Sequence, residues 1–437
     1  MSTCAPLPGV ALPAPRPAAP RSLCTDCGIS RSSTPGRCAQ ACQFIRPDHA
    51  ALEQRVHGRS RDPARGDERH FGPYRQMWRA RLASPRPGAQ WSGLTTRLAE
   101  RLLESGAVDA VLTVAPDPDD RWKPVAVLVT DPADLARCRG MRMGYAPLLA
   151  LLEPARERGY RRLAVIGIPC QVHALRALEE ALGFEALYVI GTPCSDNTTT
   201  ARFHEFLALI SSRPETVSYL EFRADYHVEL RYDDGRQEAI PFLALPLASL
   251  PDDFFPLTCR TCVDYVNVLA DITVGYMGGD GEQWLIVRNA RGAALLELLG
   301  DEVVLARPTS AGRRAGAVRG FIANLQRAAG GLPLRRMPRW LRPLVARLMP
   351  RIGPRGLEFA RARVEMKAAE TVIHLARVRP RLLRHLVPAH VWALVEPLGL
   401  AGAQPAARPR PGSRDAVAAA PGAAADAPLE QAARARA

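Results

Sequence analysis

The sequence predicts an α/β (α+β) protein: a largely parallel sheet core, preceded by a short cysteine-bearing segment, interrupted by a β-hairpin insertion and followed by a helical extension. Three observations carry this. Between about residues 91 and 210, short apolar runs alternate with helical stretches. Residues 21–50 hold four cysteines with little apolar periodicity, so something other than a hydrophobic core must hold them together. Beyond Arg307 the chain turns basic, with helix-spaced leucines.

Taken in order, residues 1–20 alternate Pro and Ala and are expected to be a disordered leader. Residues 51–306 are read as the main α/β domain. Val108–Ala115, Pro124–Thr130, Leu163–Ile168 and Leu187–Thr192 have the length and branched apolar content of buried strands, and helices are expected after Gly93, Pro169 and Asp196. Alternation at Val217, Tyr219, Val228, Leu230 and Tyr232 around the turn Asp233-Asp234-Gly235 predicts a hairpin. Ala270–Val274 reads as a strand ending in the glycine-rich turn Gly275–Gly281, with Trp284–Val287 and a helix over Ala293–Leu299 after it. In the extension, 307–400, Leu341, Leu344, Val345 and Leu348 mark an amphipathic helix flanked by Arg339, Arg342 and Arg347. Residues 401–437 are expected to be a disordered tail.

With 437 residues and 47 % hydrophobic content, the chain is too long and too apolar for a disordered, collagen-like or disulfide-stapled protein. Its formal charge is +14, and all but Lys123 and Lys367 of its 58 basic residues are arginine. From Asp301 to Ala437 there are 24 basic and 9 acidic residues, which leaves 34 and 35 in the first 300. The excess belongs to the C-terminal third. A near-neutral body with 6 % aromatic residues argues against nucleic-acid binding. No uninterrupted apolar run reaches 18 residues and no secretory signal is recognisable, so a cytoplasmic location is expected, with peripheral contact between the basic helices and an anionic membrane surface left open.

Ten cysteines in a reducing compartment point to metal or redox use. One set is Cys24-x2-Cys27-x10-Cys38-x3-Cys42. Four thiolates at this spacing close on zinc or take the corners of an iron–sulfur cluster, and spacing alone leaves both open. A second set is distributed: Cys170 and Cys194 each follow a proline at the end of a predicted strand, and Cys259-x2-Cys262 sits in a loop. Strand ends of a parallel sheet converge on one edge, which would bring these four together. Two such sets favour redox clusters over two zinc sites. Cys4 and Cys138 receive no role.

Clusters pass one electron at a time, so two-electron chemistry needs a cofactor that collects a pair, and a flavin fits. The candidate flavin-binding residues are Gly93, Thr95 and Thr96 at one helix start, Arg142 and Tyr145 in a turn, Asn197, Thr198 and Thr199 at another helix start, and Gly275, Tyr276, Met277, Gly278 and Gly279 in the glycine-rich turn. Neither a dinucleotide fingerprint nor a Walker A motif is present, so electrons must come from another protein. His173, His204 and Tyr276 are conceivable proton donors, and no catalytic acid is assigned.

The run LTCRTCVDYVNVLADITVGYMGGDGEQWLIVRN from Leu257, with IGIPCQVHALRAL from Ile166, GTPCSDNTTTARFHEFL from Gly191 and the N-terminal cysteines, resembles the deazaflavin-dependent hydrogenase/dehydrogenase beta-subunit family over roughly Leu23 to Leu375. Within it, the likeness is to the chlorophyllide branch, which holds an 8-vinyl reductase and a 7-hydroxymethyl chlorophyll a reductase. The resemblance implies FAD, two 4Fe–4S clusters on Cys24, Cys27, Cys38, Cys42 and on Cys170, Cys194, Cys259, Cys262, reduced ferredoxin as donor, and divinyl chlorophyllide or protochlorophyllide as substrate. The implied reaction is reduction of the 8-vinyl group to ethyl. Self-association stays open, and the alternatives are reduction of 7-hydroxymethyl chlorophyll a, a deazaflavin-cofactor oxidoreductase or an iron–sulfur electron-transfer subunit.

Overall fold

A computed structural model describes residues 24–223, 225–276, 281–328 and 337–400. The expected leader and tail, Cys4, and the candidates Met277, Gly278 and Gly279 lie outside the described residues.

Eleven strands matter for the site. They are β1 (Gln76–Leu82), β2 (Ala110–Pro116), β3 (Pro124–Val129), β4 (Arg162–Gly167), β5 (Ala186–Gly191), β6 (Val217–Phe222), β7 (His227–Tyr232), β8 (Gln237–Pro241), β9 (Ile272–Gly275), β10 (Gln283–Val287) and β11 (Val303–Ala306). Eight form one sheet in the order β11-β1-β10-β9-β5-β4-β2-β3. Its centre, β2-β4-β5-β9, is parallel, as the strand–helix alternation predicts. Both flanks are antiparallel: β3 hairpins onto β2, while β10, β1 and β11 extend the other side. The sheet is therefore mixed, with β1, β2, β4, β5 and β9 running one way. The antiparallel flank escapes sequence reading because β1, with Arg79 and Arg81, carries no continuous apolar run.

Side chains alternate between the two faces, as period-two geometry requires. Leu163 and Val165 of β4 pack with Val172, Leu175 and Leu178 of the helix Pro169–Leu182, while Ala164 points to the opposite face beside Leu94, Leu98 and Leu102 of the helix Leu94–Glu104. On β10, Trp284 and Ile286 meet Val364, Ala368, Val372 and Leu375 of the helix Leu357–Val378. That helix is the largest departure from expectation. The extension does not stand apart from the α/β domain; its longest helix completes the core over β10, and all described residues fall within one compact unit.

The expected hairpin is a three-stranded antiparallel sheet, β6-β7-β8, with Asp233-Asp234-Gly235 turning β7 into β8. It packs on Phe203, Phe206 and Leu207 of the helix Thr200–Ile210. Among the described residues, no helix is long and apolar enough to cross a membrane.

Candidate redox and substrate site

Gly167 of β4 and Gly191 of β5 are register partners, so Cys170 and Cys194, each three residues further on, leave adjacent parallel strands at the same level. Pro169 opens the helix Pro169–Leu182, where its missing N–H costs nothing, and places Cys170 in the first turn. The Cys259–Cys262 loop is tied to both strand ends by Asn267. Its Nδ2 donates to Gly167 O at 2.7 Å and Thr192 O at 3.2 Å from a left-handed backbone (φ 57°). Cys194 N donates to Tyr265 O at 2.9 Å in the same loop.

Cys170, Cys194, Cys259 and Cys262 accordingly line one cavity with Tyr145, Asn197, Thr25, Gln43 and Phe44. The strand-edge convergence expected from sequence is what the tertiary structure shows. Asn197 N donates to Cys259 Sγ at 3.4 Å, and Gln43 Nε2 reaches Cys262 Sγ at 3.8 Å. Burial pushes the Cys262 thiol up to about 12 and holds Cys170 and Cys194 well above the usual thiol range, with the neighbouring sulfurs adding to the rise.

The N-terminal set gathers next door. Cys27 is pushed up to about 12 by burial, against a lowering backbone hydrogen bond from Ile29, and feels Cys38, Cys42 and Cys24. Gly28 (φ 109°) has no room for a side chain: a Cβ would lie 2.3 Å from Ala150 N. That contact, with Leu149 N donating to Cys27 O at 2.9 Å, docks the loop on the sheet domain. Cys170 interacts electrostatically with Cys27, so the two sets are neighbours. Cys24 is exposed, and Cys138 ends a separate 3-10 turn, Pro132–Cys138, away from both sets. Among the described residues, no three His, Cys, Asp or Glu side chains converge as a single-ion site requires. The donor set itself fits iron–sulfur chemistry: eight thiols, none in a disulfide, in two groups of four, with Cys259 buried, Cys24 exposed and the other six half-buried.

The extension supplies residues that the sequence reading did not assign. From the helix Leu357–Val378, Thr371 Oγ1 donates to Cys262 O at 2.9 Å, Arg363 bonds Ser195, and Lys367 Nζ reaches Asp196 Oδ1 at 2.6 Å and Glu370 Oε2 at 3.2 Å. Lys367 is 4 % exposed, and its charge offsets part of the rise that burial imposes on the Cys262 and Cys259 thiols. One signal was available: Lys367 is one of two lysines in an arginine chain.

The flavin candidates pair off along the same sheet edge. Gly144 N donates to Asn197 Oδ1 at 3.3 Å and Asn197 Nδ2 to Gly144 O at 2.7 Å, locking the Arg142–Tyr145 turn to the 197–200 segment. Gly93 (φ 86°) opens the helix Leu94–Glu104, with the half-buried Thr95 and Thr96 in its first turn, and Gln283 Oε1 accepts from Leu94 N at 3.0 Å. Trp91 stacks on Tyr276 at 5.9 Å and 11°, and Tyr276 meets Phe359 edge-on at 5.0 Å. Gly275 lies against Pro193, beside Cys194. Two hydroxyls have structural partners instead: Thr198 is fully buried and bonds Phe254 O, and Thr199 caps its helix through Arg202 N at 3.2 Å. Arg142 donates to Met141 O at 2.7 Å and Arg139 O at 3.0 Å, and burial lowers its affinity for its proton.

Of the proton-donor candidates, His173 is buried with Nδ1 3.2 Å from Ala41 O, and burial lowers it to about 4. His204 pairs at the surface with Asp120 at 2.8 Å. Tyr276 alone stands at the sheet edge, its hydroxyl held protonated by burial and the nearby Tyr265 and Tyr226.

Comparison with known proteins places this fold in a class of oxidoreductases. Residues 77–153 and 160–310 match the N-terminal and C-terminal models of the coenzyme F420 hydrogenase/dehydrogenase beta subunit, and the chain belongs to that family. It is 36 % identical over 381 residues to an uncharacterized protein of Nostoc sp., covering 87 % of this chain and 94 % of that one. It is also 36 % identical over 389 residues to the chloroplastic 7-hydroxymethyl chlorophyll a reductase of Oryza sativa subsp. japonica, covering 85 % and 82 %. A chain of the F420-reducing [NiFe] hydrogenase complex from Methanosarcina barkeri shares the fold, with a TM-score of 0.50 at 22 % identity over 56 % of this chain and 84 % of that one.

Proposed function

We propose that this protein is a ferredoxin-dependent reductase of a chlorophyll-type tetrapyrrole, acting on the 8-vinyl group of 3,8-divinyl chlorophyllide a or its protochlorophyllide precursor. The observation that carries the redox reading is the meeting of Cys170, Cys194, Cys259 and Cys262 from three chain segments around one cavity, with the N-terminal four beside it. The tetrapyrrole reading draws on the rice relative's name and extent of match.

Bound in these two sets, 4Fe–4S clusters would supply one-electron transfer, and FAD would supply the hydride. Cys24, exposed, leaves the N-terminal set open to a protein donor. Arg142, whose Nε–H is buried with no hydrogen-bond partner among the described residues, is the cation proposed for the diphosphate of the dinucleotide. Trp91, Tyr276 and Phe359 form an aromatic corner against which a planar macrocycle can rest. Conjugation with the macrocycle lets charge from hydride addition spread, so the protein's tasks are positioning and delivery of one proton, for which Tyr276, protonated at the sheet edge, is the candidate.

The same observations support a second reading, reduction of 7-hydroxymethyl chlorophyll a, because the rice relative bears that name. Reconstituted protein with reduced ferredoxin is given divinyl chlorophyllide a and, separately, 7-hydroxymethyl chlorophyll a, and products are separated by chromatography and mass. Gain of two hydrogens on the first substrate is expected. Turnover of the second alone replaces the proposal with the second reading, and turnover of neither, with clusters intact, overturns both.

A further inference from the structure

The helix Leu341–Ile352 has more apolar surface than the described body of the protein covers. Its small residue, Ala346, is buried and faces the body, where the helix lies on the turn Phe242–Ala244. Leu341, Val345 and Met349 are half-buried, whereas a second row of large apolar side chains faces out: Trp340 is 74 % exposed, Leu344 53 %, Leu348 40 % and Ile352 47 %. These four fall at steps of four residues and so form one continuous stripe along the helix. Singly exposed apolar residues are ordinary, whereas an ordered stripe of this kind on a helix marks a surface meant to be covered.

The surroundings say by what. From Met337 to Gly356 the sequence holds Arg339, Arg342, Arg347, Arg351 and Arg355 and no acidic residue. Arg339, Arg347 and Arg351 are exposed beside the stripe. Tryptophan with arginines around an aliphatic face is the composition of a helix lying in a headgroup region, where the rings and aliphatic chains enter the acyl boundary and the guanidinium groups pair with phosphates. An acidic protein partner would use the arginines and leave Trp340, Leu344, Leu348 and Ile352 without an apolar counterpart.

The position of the helix gives the contact a purpose. Its C-terminal end, Gly353-Pro354, rests on Tyr226, whose hydroxyl bonds Pro354 O. Tyr226 meets Phe359 edge-on at 6.2 Å, and Phe359 meets Tyr276. A row of aromatic rings thus runs from the exposed stripe to the sheet edge that carries the cysteine loops.

We infer that the stripe Trp340–Leu344–Leu348–Ile352 is a peripheral docking surface for an anionic lipid bilayer, placing the aromatic corner at the membrane surface. The binding surface belongs to this helix alone and is independent of which substrate is reduced.

The test uses the full-length, cluster-loaded protein and sucrose-loaded vesicles of phosphatidylcholine, alone and mixed with phosphatidylglycerol. Sedimentation with the mixed vesicles is expected, weakened by salt, and much less with phosphatidylcholine alone. L344E/L348E should bind the mixed vesicles at least about tenfold more weakly. R347Q/R351Q should lose the preference for the anionic lipid. Unchanged urea midpoints and visible spectra certify folding. If a variant fails that check, quenching of the wild-type protein by brominated lipids, compared with W340F, reads the insertion directly. Failure of the wild-type protein to sediment with mixed vesicles overturns the inference, as does equal binding by L344E/L348E. A dimer that this variant dissociates, or a ferredoxin affinity that it abolishes while vesicle binding is unchanged, assigns the stripe to another occupant and likewise overturns it.

Discussion

Replacing Lys367 with methionine removes one buried positive charge and little volume. In the folded protein the ammonium stands 2.6 Å from Asp196 Oδ1 and 3.2 Å from Glu370 Oε2. At an effective dielectric constant of about 20 these contacts are worth about 6 and about 5 kcal/mol, before the several kcal/mol that each ion loses on leaving water. The intact group is close to break-even; the broken one is not. Glu370, which Lys367 and His374 hold down at about 2 against the effect of burial, would be left with Asp196 and no ammonium, and burial already pushes the Asp196 carboxyl up to about 6. Lys367→Met should therefore cost about 3–5 kcal/mol, read as a lowered urea midpoint at unchanged slope. Lys367→Arg, which keeps the charge, should cost less, and K367M/D196N/E370Q should recover most of the loss. A loss under about 1 kcal/mol, or K367R as damaging as K367M, would show that the charge does not hold this helix on the cysteine loops.

Three further outcomes follow from the same geometry. Cys170→Ala or Cys262→Ala should remove about half of the bound iron, as should Cys27→Ala, while Cys138→Ala leaves iron unchanged; elemental analysis after reconstitution reads this, and equal loss from all four contradicts the two-set assignment. Asp271 accepts from Val189 N at 2.7 Å, Asn289 Nδ2 at 2.7 Å and Arg291 Nε at 2.9 Å, and together with Arg176 these contacts hold its carboxyl below the ordinary 3.8 despite burial. Its stabilisation is complete above that ordinary value and disappears as pH falls through the lower folded one, so Asp271→Asn should cost about 3 kcal/mol at neutral pH and flatten the acid limb of stability below about pH 4. Tyr276→Phe should lower kcat by about 10²–10⁴ with little change in substrate affinity if its hydroxyl delivers the proton, and an unchanged kcat sends the search elsewhere.

The placement of Gly28 shows how local and tertiary constraints join. Its conformation is a backbone requirement, yet what forbids a side chain there is Ala150, far along the chain. The same holds for Asn267, whose backbone is left-handed and whose amide donates to Gly167 O and Thr192 O at the ends of two strands far along the chain.

Much was legible in the sequence because it depends on neighbours along the chain. Apolar runs bounded by Gly and Pro mark β2, β4, β5 and β10, since strand burial imposes a continuous pattern. Two Pro-Cys pairs at strand ends sufficed to expect that Cys170 and Cys194 would meet Cys259 and Cys262, because parallel strands deliver their ends to one edge. What lay beyond reach depends on distant segments. β1 carries arginines and becomes a strand by pairing between β10 and β11. Thr198 reads as a flavin-binding hydroxyl along the chain, but in the fold it donates to Phe254 O. The helix Leu357–Val378 reads as a basic appendage in one dimension, because its pattern reports only that one face is apolar. Only the folded chain decides that this face closes over Trp284 and that Lys367 is driven, at the cost of desolvation, against Asp196 beside the cysteines.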